Sequence, residues 1–323
     1  MPPRKPRLFD PKELGPRTTA RRPPGPTSLR AADSPSEQVQ LNRDGEGLVP
    51  GITDGLLVRT VKAHSARKAR MVSRDLGTVG RAMNRKWFDV HYLELFCGPG
   101  YLYDESTGEE VPGSPIQALT LAKPFNRYVF ADYSDICVGA LRTRIDRLRA
   151  EDPNLPPTTV RQGDANDPEH LYRVCSLIDP AALVIAYLDP QKPNLHWTTV
   201  EHLARRFRYL DLIINLPFSG IHRSLKASGD EGPKLMLGHP NPIELVAPEE
   251  GRTAQNIRDY YDQQLGKLGF IHIARRCVKT AWSNSPLYDV VLASRHPTAV
   301  KLFEKANPTP KAAAQGSIFD LLA

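Results

Sequence analysis

"HYLELFCGPG", residues 91–100, decides the fold: an apolar segment runs into Glu94 and then into a turn holding Gly98 and Gly100. Glycines so placed suit a backbone that bends sharply and comes close to a ligand. Taken alone, the stretch fits a nucleotide-like cofactor turn or a plain change of direction. Working outward, six more strand candidates follow: Tyr128–Asp132, Thr158–Gln162, Leu183–Leu188, Leu210–Asn215, Phe270–Cys277 and Tyr288–Ala293, after a first at His91–Phe96. Between the first five lie helical stretches at Ser114–Ala122, Ile136–Ala150, Asp167–Ser176 and Thr198–Phe207. Such alternation implies a parallel sheet with helices on both faces. Only "KTAWSNSPLY" separates the last two strands, which predicts an antiparallel hairpin.

The expectation is an α/β, Rossmann-like seven-stranded sheet, mostly parallel with a C-terminal antiparallel hairpin, on the strand plan of class I methyltransferases. In open α/β sheets ligands bind beyond the carboxyl ends of the strands, so the residues ending each strand are the ones to read. The first strand ends in Glu94, Phe96, Gly98 and Gly100, and the second in Asp132, where a carboxylate would take ribose hydroxyls. "RQGDAN" puts Asp164 after the third, in reach of an adenine amino group, and "YLDPQ" puts Asp189 and Pro190 after the fourth. Each acid alone reads as a turn or cap residue. Four at consecutive strand ends read as a cofactor site.

The glycine turn departs from the dinucleotide fingerprint. Phe96 stands at the first glycine position, and 13 residues, "YLYDESTGEEVPG", precede Ser114 and Pro115, read as helix N-cap and first helical residue. Asp104, Glu105, Glu109 and Glu110 in that insertion are expected to repel a pyrophosphate, which disfavours NAD. S-adenosylmethionine carries a sulfonium and no phosphate, so it is the cofactor expected, with Glu94, Phe96, Gly98, Gly100, Ser114, Asp132 and Asp164 shaping its site. Asp189, Pro190 and, from "NLPF", Asn215 and Phe218 are the candidates at the reacting end, Phe218 as a surface on which a base could stack. No aromatic follows Asp189-Pro190, where Gln191 and Lys192 stand. No Pro-Cys dipeptide occurs, and Cys97, Cys137, Cys175 and Cys277 lie too far apart for a zinc site or disulfide framework by pattern, so no metal is expected.

With 323 residues and 40% hydrophobic content the chain can build one large domain, expected over 55–305, with a 226–251 insertion and a tail at 306–323. Residues 1–50 hold 10 of the 30 prolines and few large apolar groups, so a disordered, mildly basic arm is expected. A helix is expected over 61–85, with Val72, Leu76, Val79 and Met83 in register and Lys62, Arg67, Lys68, Arg70, Arg74, Arg81 and Arg85 on its other faces. That surface is either solvated packing or a contact for nucleic-acid phosphates, a choice the net charge of +7 leaves open. No segment has the apolar length of a membrane span or a signal peptide, and free cysteines fit a reducing cytoplasm.

Taken together, "YLELFCGPG", "GSPIQAL", "RYVFADYS", "GDAN", "AYLDPQ", "DLIINLPFSGIHR" and "LYDVVLASRHPTAVKLFEKAN" make the chain resemble the three-Cys-motif partner (TcmP) family over about residues 60–323. The resemblance implies a methyltransferase-like fold and a partner protein bearing three cysteines; it supplies no substrate. Three functions stay in play: a methyltransferase acting with that partner and possibly on nucleic acid, a non-enzymatic adaptor that keeps the fold, and a metal-assisted nucleotide hydrolase, which the lack of a phosphate loop disfavours. If the 61–85 surface contacts phosphates, replacing Arg67, Arg70 and Arg74 with Gln should flatten the salt dependence of nucleic-acid binding; an unchanged slope would leave it as solvated packing.

Overall fold

The computed structural model describes residues 40–41, 47–62, 77–78, 87, 89–122, 125–226, 231–247, 249, 252–279 and 286–306. Compactness divides the chain after Glu37, and every described residue belongs to the unit Gln38–Ala323. That unit holds two sheets. Strands β1 (Gln40–Leu41), β2 (Gly47–Pro50), β3 (Leu57–Val61), β5 (Tyr101–Asp104) and β6 (Glu109–Pro112) form the smaller one in the order β1-β2-β3-β5-β6. The larger contains β4 (Val90–Leu95), β7 (Arg127–Asp132), β8 (Thr158–Gln162), β9 (Leu183–Leu188), β10 (Leu210–Leu216), β11 (His272–Lys279) and β12 (Pro286–Ser294).

The order β11-β12-β10-β9-β4-β7-β8 makes the first strand of this sheet central. Pairings among β4, β7, β8, β9 and β10 are parallel, whereas β12 runs antiparallel to both β10 and β11. Numbered within the sheet, this is 3-2-1-4-5-7-6, the seven-stranded, mostly parallel arrangement with a terminal hairpin that the sequence implies. All seven strands lie within two residues of their expected starts and ends. Their legibility has a simple cause: β4, β9 and β10 are buried along their whole length, so they read as apolar runs broken only by His91, Glu94, Asp211 and Asn215.

Alternate side chains pack on opposite faces. Leu93, Leu95, Val129 and Ala131 meet α3 (Pro168–Cys175), α4 (Trp197–Arg206) and α7 (Arg252–Lys267); Tyr92, Tyr128 and Phe130 meet α1 (Ser114–Leu119), α2 (Asp135–Glu151) and α8 (Pro297–Ala306). Both faces of the sheet are therefore core. Among the described residues, no helix is long and apolar enough to cross a membrane.

Two readings of the sequence are corrected by this structure, and two insertions hold regular elements. The reading of residues 1–50 as a disordered arm fails at its end, because Leu48 and Val49 bury their side chains when Gly47–Pro50 pairs with β3; residues 1–39 lie outside the described residues. The helix expected over 61–85 does not begin at Val61, which ends β3; apart from Lys62, Gly77 and Thr78, that segment lies outside the described residues. The 226–251 insertion holds regular structure: α6 (Gly232–Leu237) caps on Gly238 at φ 62° and a 3-10 turn covers Pro242–Leu245. Another helix, α5 (Phe218–Lys226), precedes it. The "YLYDESTGEEVPG" insertion is the β5–β6 hairpin, closed by Asp104, which accepts from the backbone N–H and hydroxyl of Ser106.

One side chain ties the small sheet to the large one. Arg144 on α2 is 3% exposed and uses all its donors: Nε and Nη2 reach the two Asp54 carboxylate oxygens at 2.8 Å, Nη1 donates to Leu57 O and Pro99 O, and Nη2 also to Leu56 O. Its bond holds the Asp54 carboxyl below the ordinary value of 3.8. A lowered folded-state value means that the pair's stabilisation is complete above pH 3.8 and is lost as pH falls below it. Arg144→Met should lower stability by about 1–3 kcal/mol, because it takes a donor from Asp54, Leu57 O and Pro99 O, and should weaken this acid-dependent component, which the Leu56 N–H and Arg147 still support. Denaturant unfolding of both proteins between pH 3 and 7 checks both effects.

Candidate cofactor site

The carboxyl ends of β4, β7, β8 and β9 converge on one cleft. Leaving β4, Phe96 takes φ 66°, Gly98 φ 66° and Gly100 φ 100°, so three residues of one turn are left-handed and one of them is not glycine. Phe96 thus adopts the conformation that a glycine would take at that position. A β-carbon on Gly100 would meet Leu141 Cδ1 at 3.1 Å and Ile116 Cγ1 at 3.2 Å, so the turn also needs glycine for space.

Asp132 holds this turn in place. Its Oδ2 accepts the Gly98 N–H at 2.7 Å and its Oδ1 accepts the Ser134 N–H at 2.9 Å, while Cys97 N donates to Ala131 O. The ends of the first two strands are thereby locked together, with the carboxylate facing a cavity of about 400 Å³. Phe96, Tyr133, Asp164, Asn166, Gln191, Lys192 and His196 are among its other walls. Asp164 is exposed and accepts the backbone and side-chain N–H groups of Asn166, whose Oδ1 in turn accepts from His196 N and Thr199 Oγ1. Asn166 Nδ2 also reaches Asn194 O. This network fastens the end of β8 to the start of α4.

A second, narrower cavity of about 30 Å³ adjoins the first and shares Arg59, Phe96 and Gln191 with it. Gly98, Gly100, Ser114, Tyr187 and Asp189 line this one. Asn215 Nδ2 donates to Asp189 Oδ1 at 2.9 Å and lies 3.4 Å from Pro190 O, so strands β9 and β10 present Asp189, Pro190 and Asn215 as one unit. Beneath them Glu94 is fully buried and accepts from Tyr92 Oη at 3.0 Å and from the Ser114 hydroxyl. Burial pushes its carboxyl well above the ordinary 4.5, against the opposing effect of these two donors.

The structure therefore brings Glu94, Phe96, Gly98, Gly100, Ser114, Asp132, Asp164, Asp189, Pro190 and Asn215 to one region. Phe218 is the exception. It is 3% exposed, and the Arg258 guanidinium lies 4.9 Å from its ring centre, so no open face remains on which a base could stack. Ser114 is also reassigned: Gly113 is the cap of α1, and the Ser114 hydroxyl goes to Glu94 instead. Gly113 N donates to Gly100 O at 2.7 Å, so the hairpin returns the chain to the glycine turn and α1 starts beside it. The four insertion acids line neither cavity; Glu110, for one, accepts the N–H groups of Ile52 and Thr53 in the small sheet. None of the four therefore supplies a wall against which a pyrophosphate would rest. What separates this fold from the dinucleotide-binding order 3-2-1-4-5-6 is the antiparallel β12 inserted beside the fifth strand.

Sequence reading missed Arg59, Tyr133, Asn166, Asn194 and His196 as wall residues. Tyr133 and Asn166 lie inside motifs already singled out, so their signal was adjacency. Arg59 has none, because it arrives from a strand of the other sheet.

No protein-family model matches the chain, and no curated protein is similar to it. Solved structures are. LPL1258 from Legionella pneumophila str. Philadelphia 1 superposes with a TM-score of 0.46 at 11% identity, over 74% of this chain and 89% of that one. The O-methyltransferase TomG from Streptomyces achromogenes, in complex with S-adenosylmethionine, gives 0.37 at 14% identity over 68% and 79%. The methyltransferase domain of bacterial CtHen1-C gives 0.37 at 12% over 70% and 100%. All three scores are below 0.5, so the fold rests on the strand order given above.

Asp132→Asn should weaken the turn even with no ligand bound. An amide has one acceptor oxygen for two N–H groups, and the buried Gly98 or Ser134 donor left over costs about 1–3 kcal/mol. A denaturation midpoint equal to that of the wild type would show the clamp to be dispensable.

Proposed function

We propose that the chain binds S-adenosylmethionine in the larger cavity and acts as a methyltransferase. The observation that carries this reading is a carboxylate, Asp132, which ends the second strand and faces a 400 Å³ cavity across a left-handed glycine turn, in a sheet ordered 3-2-1-4-5-7-6. The volume is within the usual range for small-ligand sites, about 300–1,000 Å³. Asp132 would take the ribose hydroxyls, Tyr133 and Asp164 the base, and the backbone from Phe96 to Gly100 the amino-acid end. Bound there, the cofactor supplies an electrophilic methyl group.

The protein's own part is positioning. Asn215 fixes one oxygen of Asp189, and Pro190 restricts the backbone after it, so the carboxylate is aimed before any substrate arrives. An aimed carboxylate can accept a proton from a nucleophile or stabilise positive charge developing on it. A specific observation supports a second reading, that of a cofactor-binding adaptor without turnover: the cavity at the Asp189 end holds only about 30 Å³, and Gln191 lines it where an aromatic would grip a base. A partner protein with three cysteines, and nucleic acid as substrate, belong to the proposal through the family resemblance and the basic 61–85 segment.

Calorimetric titration with S-adenosylmethionine, S-adenosylhomocysteine and NAD tests the cofactor assignment; tighter binding of NAD would replace it. Asp132→Ala should weaken S-adenosylhomocysteine by about tenfold or more. Asp189→Asn keeps an oxygen for the Asn215 bond, so cofactor affinity should hold while methyl transfer to total cellular nucleic acid falls by roughly 10²–10⁴. Full transfer by Asp189→Asn would remove it from the chemistry, and no transfer by the wild type, with or without partner, would favour the adaptor.

A further inference from the structure

Arg59 stands where the two cavities meet and lines both. It comes from β3, flanked by β2 and β5, and is 6% exposed. Its guanidinium lies over the glycine turn: a β-carbon on Gly98 would sit 3.4 Å from Arg59 Nη1, and Arg59 Nη2 is 3.9 Å from Cys137 Sγ at the start of α2. The small sheet thus delivers one buried cation to the floor of a site otherwise built by the large sheet.

The charges around it define what such a cation can recognise. Asp132, Asp164 and Asp189 supply carboxylates to the two linings, and the permanently cationic side chains among the described lining residues are Arg59 and Lys192. Lys192 is exposed, so water and salt screen it; the guanidinium stays ionised at any physiological pH and is shielded from both. A ligand anion would be repelled along most of the linings and held at the junction. A carboxylate suits a guanidinium best, since the planar fork can offer it two parallel donors.

Resting on the cofactor reading above, we propose that Arg59 recognises the free carboxylate at the amino-acid end of the cofactor and makes the site selective for ligands that carry it. Asp132 and Arg59 then divide the ligand between them, the carboxylate of the protein holding the ribose and the cation of the protein holding the acid.

The test uses two ligands that differ by that one group: S-adenosylhomocysteine and its decarboxylated form, S-adenosyl-3-thiopropylamine. The wild type should bind the first roughly tenfold to a hundredfold more tightly, the range expected of a charge-assisted pair. Arg59→Met should abolish this preference by weakening S-adenosylhomocysteine while leaving the amine unchanged, and Arg59→Lys should retain part of it. Equal weakening of both ligands by Arg59→Met would overturn the proposal in favour of a purely shaping role, and so would no weakening of either. Should Arg59→Met not fold, the wild-type preference still decides, because equal affinity for the two ligands overturns carboxylate recognition outright. Failure of the wild type to bind either ligand would instead overturn the cofactor reading itself.

Discussion

The five hydrogen bonds of Arg144 are the constraint on which the rest of the cleft depends. A buried guanidinium is costly unless its donors are met, and here the acceptors come from two separate stretches: Asp54 to Leu57 before β3, and Pro99 within the glycine turn. Helix α2 therefore fixes the small sheet and the turn relative to each other. Arg59 owes its place above Gly98 to that junction, and with Phe96 and Gln191 it forms the wall common to the two cavities. Tyr101, the first residue of β5, packs under the same guanidinium at 5.0 Å, so the hairpin is gathered in as well.

The site is built as a hierarchy of backbone locks rather than from a row of independent side chains. Asp132 joins the ends of β4 and β7, Asn166 joins the end of β8 to α4, and Asn215 joins β9 to β10. Each lock spans elements that are neighbours in space and distant in sequence, and together they bring the catalytic and cofactor candidates to one edge. The buried pair of Arg258 and Asp289 does comparable work at the hairpin end, and in doing so covers Phe218.

The large sheet was legible in the sequence because continuous burial leaves an apolar run with sharp polar ends, as "LVIAYLDP" and "LIINLP" show. The same physics made Asp132 and Asp189 legible, since they are the polar ends; Asp164 follows the mostly polar β8 and was legible only from its place in the strand order. The small sheet was not. Its strands have two to five residues, Glu109–Pro112 is half polar, and Gly47–Pro50 sits in a proline-rich stretch, so neither alternation nor burial left a pattern to read. Arg59 was lost with its strand. Phe218 misled for the opposite reason: "NLPF" shows an aromatic after a strand, and only the distant Arg258 reveals that its face is taken.

The meeting of Gly113 N with Gly100 O carries a lesson about chain length. Because the hairpin leaves and re-enters at one point, the positions of Gly100 and Ser114 do not depend on how many residues lie between them. Its tip at Glu105–Thr107 is exposed, and doubling a loop there adds only about 0.6 kcal/mol of closure entropy. Extra residues can therefore be accommodated at the tip without moving the floor of the cleft. Removal is another matter, since β5 is the parallel partner of β3 and its loss would open the edge that carries Arg59. Length is free to grow at this point of the chain and not free to shrink.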